Sequence, residues 1–80
     1  MRLDKFLKVS RIIKRRTVAN DACDAAHVTV NGNAAKASYQ VKENDVLEIT
    51  FGERKLRVRV LDVKETTKKN EASSLYEVLE

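Results

Sequence analysis

Several things that this 80-residue sequence has little of narrow what it can be. It holds one cysteine, Cys23, so there is no disulfide framework and no cysteine-based metal site. A single free thiol at an expected helix-core position fits a reducing, cytoplasmic setting. His27 is the one histidine, and no carboxylate or nucleophile stands at a spacing that implies a catalytic triad. With Cys23 four residues before it, His27 would supply two metal ligands at most. No enzyme, metal or cofactor is therefore expected. Aromatics are four, Phe6, Tyr39, Phe51 and Tyr76, and both phenylalanines read as buried, which argues against base stacking as a main mode of binding. No apolar run approaches the roughly 18–20 residues that span a bilayer, and no cleavable signal pattern opens the chain. A chain this short buries roughly 60–65% of its unfolded surface, enough for one domain with a small core.

Acids are also scarce, but only in one place. Residues 1–16 hold Arg2, Lys5, Lys8, Arg11, Lys14, Arg15 and Arg16 against Asp4 alone, a local charge of +6. The whole chain is +4, so residues 17–80 sum to −2. Charge segregated in this way points to a polyanionic partner more firmly than net charge does.

Those cations fall on a helical hairpin. Leu3, Phe6, Leu7 and Ser10 recur at helical spacing over residues 2–10, which turns one narrow face inward. Asp4, Lys5, Lys8 and Arg11 fall on the other side, with Asp4 placed for an i,i+4 pair with Lys8. Val9 to Arg16 connects to a second helix, Ile12 and Ile13 filling the gap between the two. That helix, Thr17 to Ala26, would turn Val18, Ala22, Ala25 and Ala26 inward. Arg16, Asn20 and His27 share one edge, with Cys23 beside them, and this acid-free edge reads as the second half of a binding surface.

The remainder reads as a sheet. Val28 to Val30 is a short strand, and Asn31-Gly32 is a hairpin turn that accepts positive φ at both positions, with Ala35 to Ser38 as the return strand. Val46 to Phe51 alternates with Leu47, Ile49 and Phe51 inward, and Gly52-Glu53 turns the chain into a strand from Lys55 to Val63 that buries Leu56, Val58 and Val60. Arg57 and Arg59 lie on its opposite face, where cross-strand pairing with Glu48 accounts for them. Tyr39 either stacks on a base or closes the core. Thr66 to Ser74 is polar and reads as a turn of helix capped by Thr66 or Thr67. Leu75 to Leu79 is a final strand or a terminal helix. No repeat or linker divides the chain. The class is α+β: a basic two-helix hairpin on a small, mostly antiparallel sheet of four or five strands.

The run RLDKFLKVSRIIKRRTVA, then VTVNG, then the step Lys42-Glu43-Asn44-Asp45 before a strand, resembles the S4-type RNA-binding domain. The motifs cover residues 1 to about 51, and the length matches over the whole chain, with residues 52–80 as C-terminal strands and a short polar helix or turn. The opening MRLDKFLKVSR, the KRRT step and the later TTKK resemble a narrower group within that family, the short stand-alone proteins of bacterial ribosome-associated quality control. Those are related to a heat-shock protein that rescues stalled large subunits. The resemblance implies a cytoplasmic, monomeric factor that binds a split large ribosomal subunit carrying peptidyl-tRNA. It would contact rRNA and tRNA and work with the tail-synthesising factor RqcH to extend the stalled chain with alanine.

Carried onto this sequence, the RNA-contacting pattern falls on Arg2, Lys5, Lys8, Ser10, Arg11, Arg15, Arg16 and Thr17, with Asn31 and Gly32 shaping the hairpin turn. Lys14, Asn20 and Lys36 complete the expected surface. Asp4 is expected to orient a nearby arginine rather than touch RNA. The sequence departs from the family pattern where Ala26 replaces a helix-ending Gly, Asn44 a Gly, and Arg15 an N-capping Ser. Subunit rescue without tailing, an rRNA or tRNA accessory domain, and a module that binds an acidic protein are the alternative readings.

Overall fold

The computed structural model describes residues 1–64 and 69–79. Two short helices, α1 (Leu3–Val9) and α2 (Arg16–Asp24), lead into strands β1 (Val28–Val30), β2 (Asn33–Ala34), β3 (Val46–Phe51) and β4 (Arg54–Val60). A 3-10 helix (Lys69–Leu75) and a last strand, β5 (Tyr76–Leu79), follow. The strands form one antiparallel sheet in the order β2-β1-β3-β4-β5. The final segment is thus a strand, paired with β4 from Arg57↔Leu79 to Val60↔Tyr76. The polar segment before it is helical from Lys69, while the expected capping residues Thr66 and Thr67 lie outside the described residues.

The core forms where the helices meet the sheet. Leu3, Phe6 and Leu7 are fully buried, as are Val28, Leu47, Ile49, Val58, Val60 and Leu75. The start of α1 is also tied to the 37–41 segment through its backbone. The Leu3 N–H donates to the Tyr39 carbonyl (2.8 Å), the Asp4 N–H to the Ala37 carbonyl (3.2 Å), and the Val41 N–H to the Met1 carbonyl (2.8 Å). The first two of these bonds engage free N–H groups of the first helical turn, which have no partner inside the helix.

Both helices end in a left-handed residue. After α2, Ala26 has φ 60, its N–H donates to the Cys23 carbonyl (3.0 Å), and the His27 N–H reaches back to the Ala22 carbonyl (2.9 Å). This is a Schellman ending, with Ala in the position that usually takes Gly. After α1, Arg11 has φ 63 and its N–H donates to the Lys8 carbonyl (3.0 Å). Arg11 therefore lies beyond the helix, not on its outer face.

Four other expectations change. The inward residues of α2 are Ala19 and Cys23, with Ala22 half-buried, whereas Val18 is 50% exposed and Ala25 and Ala26 are exposed. Two small-residue faces compete on this helix, and the one used also carries Asn20 to a buried acid on α1. The return strand is Asn33–Ala34, because a two-residue Asn31-Gly32 turn (φ 53 and 87) pairs Val30 directly with Asn33. β4 ends at Val60, where the Leu61 and Asp62 N–H groups turn to the Leu75 carbonyl (2.8 and 3.3 Å). Phe51 is 44% exposed, because it pairs with Arg54 at the hairpin tip of β3 and β4. On the outer face of the sheet, Glu48 pairs with Lys55 (3.6 Å) and Arg57 (3.9 Å), and Arg59 pairs with Glu77.

Candidate nucleic-acid interface

Arg2, Lys8, Arg11, Lys14, Arg15, Arg16 and Thr17 all reach the surface of the hairpin, and Lys5 is half-buried. Their placement follows from the helix ends. Arg2 is the N-cap of α1 in extended conformation (φ −66, ψ 146), and Arg16 opens α2 after the N-cap Arg15. Neither N-cap residue makes a capping hydrogen bond with its own side chain. The hairpin thus brings Arg2 and Arg16, fourteen residues apart, to one point.

That point is Asp4. Its side chain is 3% exposed and gathers donors from both helices. Arg2 approaches with Nε at 3.2 Å from Oδ1 and Nη2 at 3.4 Å from Oδ2. Arg16 Nε lies 3.4 Å from Oδ2, Asn20 Nδ2 donates to Oδ2 (3.3 Å), and the Lys5 N–H donates to Oδ1 (2.8 Å). Burial pushes the Asp4 carboxyl upward, but the hydrogen bonds from Asn20, Arg16 and the Lys5 N–H, with the Arg16 charge, hold it below its ordinary value. An acid on the flank of α1 is thus the centre of the cluster, and the described ion pairs give it Arg2 and Arg16 in place of the expected Lys8. The sequence signal for this was the lone acid among seven cations, a buried charge being tolerated only where it is paired. A cavity of about 320 Å³ lined by Asp4, Arg16, Thr17, Asn20 and Asp21 opens beside it.

Other expected site residues are occupied elsewhere. Ser10 is 1% exposed and its hydroxyl donates to the Leu7 carbonyl (3.2 Å), so it belongs to the core, not to the cationic surface. Asn20 is spent on Asp4. Asn31 ties the turn to the sheet: its Nδ2 donates to Asp45 Oδ1 (3.2 Å) and its Oδ1 accepts the Val46 N–H (2.9 Å). Asp45, missed in the sequence, also accepts the Tyr39 hydroxyl (2.9 Å) and the Lys42 N–H (2.9 Å). Tyr39 thereby closes the core. Burial, and then the Asp45 hydrogen bond and charge, push its phenol upward. Lys36 is exposed on a separate groove of about 480 Å³, with Asn31, Ala35 and Tyr39.

His27 is exposed, and Cys23 is buried, its thiol pushed up to about 11 by burial and by the Asp4 and Asp24 charges. Among the described residues no group of three or more His, Cys, Asp or Glu side chains is placed to hold a metal ion, and no helix is long and apolar enough to cross a membrane.

A family model described as the S4 domain matches residues 1–47, the stretch that builds the hairpin, the Asn-Gly turn and the start of β3. The chain belongs to the S4 domain family. The S4 domain is an RNA-binding domain, and here its cationic side is the α1–α2 hairpin. A protein of Halalkalibacterium halodurans named RQC P-site tRNA stabilizing factor is 60% identical over 78 residues, 98% of this chain and 89% of that protein. One of the same name from Bacillus subtilis is 53% identical over 79 residues, 99% of this chain and 92% of that one. The S4 fold extends past the matched motif. The trimeric structure of Vibrio cholerae heat shock protein 15 aligns with a TM-score of 0.92 at 26% identity, over 99% of this chain and 81% of its own.

Proposed function

We propose that this protein is a non-enzymatic RNA-binding factor of ribosome-associated quality control, which binds the large ribosomal subunit and steadies its P-site tRNA. The observation that carries this reading is a hairpin bearing seven cations in a chain that is 53–60% identical to proteins named for that role. Folded RNA offers phosphates and a shallow minor groove, so a rigid cationic hairpin can grip backbone by shape and charge without reading sequence. The 80 residues act as one domain, residues 1–51 making the contacts and residues 52–80 bracing them. The protein works in the cytoplasm as a single chain. It supports RqcH-dependent alanine tailing of the stalled chain, and subunit rescue without tailing is the reading to be separated from it.

Sedimentation of cell lysate through a sucrose gradient tests the proposal. The wild-type protein should travel with large subunits at moderate salt and leave them as salt rises, and Arg16→Ala should stay at the top of the gradient with its fold intact. Unchanged ribosome association of Arg16→Ala would remove the hairpin as the site. A complex that survives ribonuclease would point instead to an acidic protein partner. Loss of alanine tails, rather than of free large subunits, in cells lacking the protein would separate tailing from rescue.

A further inference from the structure

Asp4 sits buried in the middle of a surface built to attract a polyanion, where by charge alone it works against binding. The geometry gives it a use. Both arginines are held on their Nε side by the same carboxylate, and both side chains remain nearly half exposed, at 45% and 46%. Arg16 meets Asp4 through Nε, and Arg2 meets it through Nε and Nη2, so the carboxylate occupies one edge of each guanidinium. Two like charges brought this close would repel each other, and the shared carboxylate offsets that repulsion while leaving the trio at +1. Asn20, bonded to the same oxygen from the second turn of α2, fixes the spacing of the helices as well as the charges.

We propose that Asp4 is the positioning residue of a two-arginine clamp, in which Arg2 and Arg16 close together on one phosphodiester of the bound RNA. The proposal rests on the reading of the hairpin as an RNA-binding surface and adds which phosphate contact is built in advance, and by what. The guanidinium fork can bond a carboxylate along one edge and a phosphate along another, which an ammonium cannot do. Ordering two long side chains during folding means that they need not be ordered on binding.

The test is a binding cycle on purified large ribosomal subunits with labelled protein, across a range of salt. Asp4→Asn keeps the side-chain shape and removes a negative charge from a cationic face. Charge alone therefore demands tighter binding and a steeper salt dependence. The clamp demands the opposite: binding weaker by roughly tenfold, with the slope of log affinity against log salt shallower by roughly one unit, one lost phosphate contact. In a background of Arg2→Ala with Arg16→Ala, Asp4→Asn should no longer weaken binding, since the partners through which it positions are gone and only the effect of its charge remains.

Tighter or unchanged binding of Asp4→Asn, beside weakened binding of the arginine variant, overturns the clamp and leaves the RNA surface standing. Equal weakening by Asp4→Asn in both backgrounds overturns it too, because Asp4 would then act through the fold at large. Unchanged binding of the arginine variant overturns both the clamp and the reading beneath it. Should Asp4→Asn fail to fold, Arg2→Lys with Arg16→Lys decides: it keeps every charge, so binding like the wild type would overturn the clamp, and weakening by roughly tenfold would support it.

Discussion

Arg11 and Ala26 hold the same left-handed backbone at the ends of the two helices, with φ 63 and 60, and both side chains are exposed. That conformation costs an L-residue about 1–2 kcal/mol, part of which glycine would return as extra freedom of the unfolded chain. Ala26→Gly should therefore raise stability by about 0.5–1 kcal/mol in urea unfolding and leave affinity for large subunits unchanged. Arg11→Gly should raise stability similarly but weaken that affinity, because strain held at a binding residue is retained for the side chain it presents. Tight binding by Arg11→Gly would take Arg11 off the interface. Ala26 was half-legible in the sequence: the S4 pattern marks its position by placing Gly there, but helical spacing turned it inward on α2, and the structure exposes it beyond the helix. Arg11 was not, since helical spacing put it on the outer face of α1 and arginine carries no mark of a left-handed position. Asp4 was half-legible: its role as partner to an arginine was expected, but its burial between two helices depends on how they cross, which spacing along one helix does not contain.

At the level of elements, legibility followed how many physical signals agreed. The 3-6-7-10 pattern of α1 gave its buried face correctly, and Phe6 is fully enclosed between that helix and the sheet. Phe6→Ala should cost roughly 3–5 kcal/mol, and a variant as resistant to urea as the wild type would contradict the packing described for α1. In α2 two faces of small residues fit the period equally well, and satisfaction of a buried carboxylate settled between them. Strand β3 was placed residue for residue by its alternation, yet the same alternation carried Phe51 inward at a strand end that lies uncovered. β2 was set too late because the tightness of an Asn-Gly turn, rather than the run of small residues after it, fixes where the return strand begins.

Across the whole molecule, two buried carboxylates act as joints: Asp4 binds helix to helix, and Asp45 binds the Asn31 turn, Tyr39 and Lys42 to the edge of β3. The Asp4 carboxyl lies below its ordinary 3.8 in the folded protein. A group lowered on folding stabilises above its unfolded pKa, and that contribution is lost as pH falls through the folded value. Acid titration followed by circular dichroism should show stability declining below about pH 3.8, and Asp4→Asn should flatten that decline. The backbone bonds joining residues 1–4 to residues 37–41 have a further consequence, for the order in which the protein is made. Helices of seven and nine residues do not hold themselves in water, so the first part of the chain emerges during translation as unstructured positive charge. Only when the 37–41 segment, β3 and β4 have followed can α1 dock and Phe6 be covered. A nascent copy of this protein thus carries its full charge past the ribosome that makes it well before it has the shape to hold on.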